Sequence, residues 1–294
     1  MSVAGFLATN TGLFQTILVY ALLAASVQIV MRAGVFSLAS IGFWAIGGYL
    51  CANLVKVYHV NYLLAIVATL IVASVLGWLL ALPLRRLRRL YLGMATVAFD
   101  LVVVVLAISL GGDFTGGAGG LYAIPKETGL LHGLIACIAV GYLVYRVESG
   151  KWGRSFEALR LDEPVALSVG VPVVRLRDFT FALSSVVGAL SGGLYVLTFG
   201  IISPEQFGFE LITLTLTMVV VGGSNSWIGA YLGAAVMSVL PLLLGPFALW
   251  RDLVYGGLLV ITMIWAPDGI VGVVSRMWSA RRRADRRSWR EQPA

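Results

Sequence analysis

Asp100 is an acid set within an apolar run, about ten residues from either end of segment 91–111, and Thr96 precedes it by four. On a helix, positions four apart share a face. A carboxylate at such depth needs a partner or water, because an isolated charge in hydrocarbon is costly. The chemistry on offer is contact with a polar solute along a pathway, or a structural bond to a neighbouring helix. The sequence weighs the two evenly. Little else could react. The two histidines, His59 and His132, have no metal-ligand spacing, and Cys51 and Cys137 sit in apolar runs without Cys/His partners. These thiols read as lipid-facing or packed, with neither a disulfide nor a metal site expected. There is no G-x-S-x-G and no H-E-x-x-H. A phosphate-binding G-x-x-x-x-G-K-[ST] is absent too: Gly150-Lys151 is followed by Trp152, and position 145 is Tyr. The chain is therefore not expected to be an enzyme, and no cofactor or metal is expected in it.

The elements that must hold Asp100 are dictated by composition. The 294 residues are 59% hydrophobic and 12% charged. Soluble domains carry about 25% charged residues, so this chain has too little polar surface to fold in water. A soluble enzyme, a disordered chain and a disulfide-rich secreted domain are excluded. What remains is an all-α, polytopic helical membrane protein. Apolar runs predict about eight to nine membrane segments at 11–31, 36–55, 62–83, 91–111, 128–147, 179–201, 209–222, 227–248 and 253–271. Segment 209–222 is short, which suits a half-helix or a re-entrant piece, and such a piece must be buried in protein.

Charge is clustered as well as scarce. Of the charged residues, ten fall in 148–178 and nine in 276–294, whereas 1–31, 179–204 and 211–250 carry none. The net charge of +7 is thus a membrane-sidedness signal rather than a nucleic-acid footprint. With nine crossings, Arg32, the Arg85–Arg89 cluster, loop 148–178 and the arginine-rich tail share one side, which the positive-inside rule makes cytoplasmic. The N-terminus is then outside and the C-terminus cytoplasmic. The first charge is Arg32, so no cleaved signal peptide is expected. Residues 1–275 read as one transmembrane domain, and 276–294 as a basic cytoplasmic tail anchored on lipid headgroups.

Loop 148–178 is the most informative stretch. Asp162 suits an N-cap, Pro164 a first turn and Gly170 an end, which predicts one short helix over about 163–169. Its Val165, Ala166, Leu167 and Val169 are apolar among charges. It would lie on the membrane surface or dock a cytoplasmic partner.

From Gly153-Arg154-Ser155-Phe156-Glu157-Ala158-Leu159-Arg160-Leu161-Asp162-Glu163 through Ala166 and Gly170, this loop resembles that of LivM-type permeases, the membrane subunits of branched-chain amino-acid ABC importers. The resemblance covers most of the chain. Gly34-Val35-Phe36-Ser37-Leu38 resembles the early glycine-and-serine motif, and Thr115-Gly116-Gly117-Ala118-Gly119-Gly120 the extracytoplasmic T-G-G-x-x-G loop. Ser203-Pro204, Gly222-Gly223 with Gly229 and Gly233, and Pro267-Asp268-Gly269-Ile270 resemble later signatures. Two departures stand out. Ala39-Ser40-Ile41-Gly42 replaces the usual continuation of the early motif, and the acid after Thr96 is shifted to Asp100.

The resemblance implies a permease subunit in a bacterial plasma (inner) membrane, forming half a pathway for branched-chain amino acids or a related small solute. Its partners would be a second, LivH-like permease, two cytoplasmic ATPase subunits that bind ATP and Mg, an extracytoplasmic solute-binding protein, and membrane lipid; no nucleic acid is expected. Ser37, Ser40, Thr96 and Asp100 would line the pathway. Arg160, Asp162, Glu163, Ala166 and Gly170 would form the ATPase coupling contact. The alternative is a self-contained channel or secondary transporter for a small polar solute.

Overall fold

A computed structural model describes residues 11–87, 89–223 and 226–243, with 253, 254, 256, 257 and 260. The described chain is helical: α1 (Thr11–Arg32), α2 (Ser40–Lys56), α3 (Tyr62–Leu84), α4 (Arg89–Leu110), α5 (Leu130–Ser149), α6 (Lys151–Leu161), α7 (Glu163–Ser168), α8 (Val173–Phe199), α9 (Phe209–Gly222) and α10 (Trp227–Leu243). Short turns at Gly112–Thr115, Gly117–Gly119 and Pro204–Phe207 complete it, and the one extended pairing among the described residues is a bridge between Leu121 and Ile202. Five helices, α1, α3, α4 (from Leu90), α5 and α8, are long and apolar enough to cross a membrane. This is fewer than the eight to nine expected segments. Helices α2, α9 and α10 are shorter, and 253–271 and the tail 276–294 lie almost wholly outside the described residues.

The expected segment 36–55 begins as helix only at Ser40, because Gly34, at φ +72°, turns the chain out of α1 and the next residues run non-helical. Helix α2 is then enclosed all round, with none of its residues exposed. Enclosure at this closeness requires glycine. A Cβ on Gly192 of α8 would lie 1.9 Å from the Trp44 carbonyl oxygen, and one on Gly47 would lie 2.4 Å from the Ala189 oxygen. Backbones pack directly where small residues allow it. Helix α8 is thus the central mast, packed along α1, α2 and α3.

Helices α9 and α10 form a tight antiparallel pair. A Cβ on Gly222 would meet the Gly229 oxygen at 1.9 Å, and one on Gly233 the Met218 oxygen at 1.8 Å. Buried Gln28 of α1 holds the break between them, donating from Nε2 to the carbonyls of Gly223, at 3.3 Å, and of Ser226. Short α9 is buried along Leu211, Ile212, Thr215, Thr217, Met218, Val219, Val221 and Gly222, which meets the condition for a non-spanning piece. Both thiols are packed inside, unpaired.

Candidate functional site

The entrance to α2 gathers all four residues expected to line a pathway. The first N–H groups of a helix have no acceptor within it. Here they are met from outside. Leu38 N–H donates to Thr96 Oγ1 at 3.2 Å, Ala39 N–H to Ser37 Oγ at 3.4 Å, and Gly42 N–H to Asp100 Oδ1 at 2.8 Å. Thr96 Oγ1 itself donates to the Gly93 carbonyl at 2.8 Å. Asp100 therefore supplies from α4 what a local N-cap usually supplies, and its carboxylate faces the positive end of the α2 dipole. Its second oxygen, Oδ2, is buried without a hydrogen-bond partner among the described residues. Ser40 shares a 2.8 Å hydrogen bond with Ser184 of α8, whose hydroxyl donates to the Ser26 carbonyl of α1 at 2.8 Å. All four side chains are buried, and none lines the groove beside Arg160 or the pocket beside Trp44. Thr96 and Asp100 share a face as expected, and that face braces α2.

At one end of the bundle the arginines converge. Arg85, after α3, makes a bidentate pair with Asp178 of α8, with Nε–Oδ1 at 2.8 Å and Nη2–Oδ2 at 2.5 Å. Two parallel bonds give such a pair geometric as well as electrostatic strength. Arg32 pairs with Glu148 at 2.8 Å, joining α1 to α5, and Arg177 of α8 pairs with Glu163 of α7 at 2.9 Å. Arg32, Arg85 and loop 148–178 thus share one end. Elsewhere Leu121 bridges Ile202, Lys56 Nζ donates to the Tyr122 carbonyl and Asn53 to that of Phe114, which gathers 112–127, 200–203 and the end of α2 at the other.

Loop 148–178 holds more helix than expected. Helix α7 falls at Glu163–Ser168, capped by the Asp162 carboxylate accepting from Val165 N–H at 3.3 Å, and Gly170 takes the left-handed conformation at φ +79°. But α6 precedes it, and α8 starts at Val173, not 179. Charged residues in α6 hid its amphipathic spacing: Phe156 and Leu159 turn inward, and Phe156 packs with Ala33 and Leu176. Of the expected coupling residues, Arg160, Asp162 and Glu163 border a groove of about 650 Å³ with Gly34 and Phe36, while Ala166 is buried. Glu163 is already ion-paired within the chain. Leu161, Val165, Leu167 and Val169 stay exposed, at 81%, 57%, 56% and 69%.

Sequence reasoning missed Asp178 and Gln28. Asp178 was visible as the last charge before the uncharged run 179–204, and Gln28 as an amide between Val27 and Ile29. Neither names its partner, which lies 93 positions away for Asp178 and 195 and 198 positions away for Gln28.

Comparison with known proteins agrees with this arrangement. Residues 10–263 match the family described as branched-chain amino acid transport system / permease component. The chain is 29% identical over 289 residues to the high-affinity branched-chain amino acid transport system permease protein LivM of Salmonella typhimurium, covering 86% of this chain and 68% of that one. It is 26% identical over 141 residues to LivH of the same organism, covering 47% and 46%. Among solved structures, PsaBC from Streptococcus pneumoniae in complex with Fab shares the fold, with a TM-score of 0.51 at 14% identity over 91% of this chain and 97% of that one. A helical membrane chain whose family match runs from the start of α1 to beyond α10 belongs to the permease components of branched-chain amino acid transport systems.

Proposed function

We propose that this chain forms half the translocation pathway of an ATP-driven ABC importer for branched-chain amino acids or a related small solute. A second, LivH-like permease supplies the other half. Two ATPase subunits dock at the arginine-bearing end, where they alone bind ATP and Mg, and a soluble binding protein delivers solute to the opposite end. The arginine-bearing end faces the cytoplasm of a bacterial inner membrane, with the N-terminus outside and the C-terminus inside. Helix α2 completes a sixth crossing, and the expected segment 253–271 is the further one that takes the C-terminus inside. Helices α9 and α10 leave and return to the same level whether they cross or turn back, so the orientation does not depend on which they do.

The observation that carries this reading is the build of α6 and α7. A capped knob presents Leu161, Val165, Leu167 and Val169 to solvent in a charged surround. Three ion pairs at its base tie α7 to α8, α1 to α5 and α3 to α8. A push on α7 therefore reaches the bundle instead of being absorbed in a loose loop. Ser37, Ser40, Thr96 and Asp100 serve transport by fixing α2.

The test is a reconstituted complex carrying Val165→Glu and Leu167→Glu. Both side chains are exposed, so the fold should tolerate the change. Burying each against a partner contributes on the order of 1.5–3 kcal/mol, so ATPase affinity should fall at least tenfold and solute-stimulated hydrolysis with it. Full stimulation would place the coupling contact elsewhere.

A further inference from the structure

Beneath the Pro204–Phe207 turn, away from the arginines, α1, α2, α8 and α9 border a half-open pocket of about 190 Å³ lined by Tyr20, Trp44, Tyr195, Gln206, Glu210 and Leu214. At roughly 30 Å³ per water, it has room for about six waters, enough for an amino acid. Its walls differ in chemistry. Trp44 and Tyr195 set their ring centroids 4.9 Å apart at 56°, and Phe207 backs Trp44 at 6.2 Å. Such ring faces attract a cation. Glu210, in the first turn of α9, adds a carboxylate. The Gln206 amide oxygen is engaged by Ser203 N–H at 3.3 Å, which leaves its NH₂ as a donor. The Trp44 indole N–H is buried and has no acceptor among the described residues. A buried donor without an acceptor is destabilising, and a bound anion relieves it.

We propose that this pocket is the permease's own solute site: the solute's ammonium sits by Glu210 against the aromatic faces, its carboxylate accepts from the Trp44 indole and the Gln206 amide, and its apolar side chain lies on Leu211 and Leu214. The inference rests on the importer reading and names where, within this half of the pathway, a zwitterionic solute with an apolar side chain is held. It also places solute selection partly in the membrane chain.

The test is direct binding of leucine, 3-methylbutylamine (ammonium only) and 4-methylpentanoate (carboxylate only) to the full chain in lipid nanodiscs. Glu210→Gln should weaken leucine and 3-methylbutylamine about tenfold or more and leave 4-methylpentanoate within about twofold, since bonds to charged groups are the strong ones. Glu210→Asp, which keeps the charge, should restore most of the loss. Trp44→Phe should give the reverse pattern, weakening leucine and 4-methylpentanoate only. Glu210 is exposed, and unchanged binding of 4-methylpentanoate by its variants separates a lost ammonium contact from a lost fold. Failure of leucine to bind the unmodified chain, or equal effects of each variant on all three probes, would overturn the site. Neither result touches the importer reading, because the assay contains no ATPase and no binding protein. Conversely, loss of coupling in the reconstituted complex would leave this binding pattern intact.

Discussion

Replacing Asp100 separates its two possible uses by magnitude. In the structure its Oδ1 accepts the Gly42 N–H at 2.8 Å inside the protein, with 1% of the residue exposed. Asp100→Ala leaves that N–H without its acceptor, a loss of about 1–3 kcal/mol, or roughly 5- to 150-fold in the unfolding equilibrium. Asp100→Asn keeps an oxygen at the same place and removes only the charge, so the loss should stay below about 1 kcal/mol. Thr96→Val removes the acceptor of Leu38 N–H and should lose about 1 kcal/mol. Because Thr96 and Asp100 brace the same turn of α2, the double variant should lose less or more than the sum of its parts. The assay is unfolding of the detergent-purified chain by titrated SDS, run beside solute uptake in cells. Uptake should follow stability across the series, with Asp100→Asn near normal. An Asp100→Asn chain as stable as the parent that has lost uptake would refute the reasoning and put the charge itself in the pathway.

Two further expectations follow from the packing and the ends. Gly192→Val places a Cβ 1.9 Å from the Trp44 carbonyl oxygen, and backbone cannot yield as a side chain tip does, so the loss should exceed the ~1–3 kcal/mol of ordinary overpacking and the chain should not accumulate in membranes; Gly12→Ala, with nothing within 4 Å, should be neutral, and equal accumulation of the two would contradict direct α2–α8 contact. For sidedness, Ala118→Cys should react with an impermeant maleimide in intact cells and Ser168→Cys only after permeabilisation, both over a low background because native Cys51 and Cys137 are buried; the opposite pattern would invert the assigned orientation.

The arginine-bearing end was legible because charge in this chain is rare enough to be informative. Arg32, Arg85 and loop 148–178 were placed together by counting alone, and their ion pairs now show why each remains there. Asp162, Pro164 and Gly170 located α7 because caps act through neighbouring residues only. The role of Asp100 was not legible. A carboxylate facing a water-filled path and one capping a distant helix look alike in sequence, since the Gly42 N–H that Asp100 accepts from lies 58 positions away. Helix α6 was missed for a different reason: hydropathy finds helices that are apolar all round, and α6 buries only Phe156 and Leu159.

The same blindness affects the inward face of the spans, where size replaces hydropathy as the code. Along α3 the buried residues include Ala65, Thr69, Ala73, Gly77 and Ala81, one every four positions. The large apolar residues Leu64, Val67, Ile71, Val75 and Trp78 are exposed. In water this pattern would be inverted, because burial of large apolar groups drives folding there. In a bilayer the outer surface is as apolar as the interior, and helices associate by close packing and bonds between them. Gly77 shows the consequence: a Cβ there would lie 2.0 Å from Ser185 Oγ, which instead donates to the Ala73 carbonyl at 2.9 Å. The stripe therefore admits α8 closely enough for a side chain of α8 to bond the backbone of α3. The large residues left outside on α3, α4 and α5 form an apolar outer surface of the kind a bilayer accommodates, while the small ones turn inward to the mast.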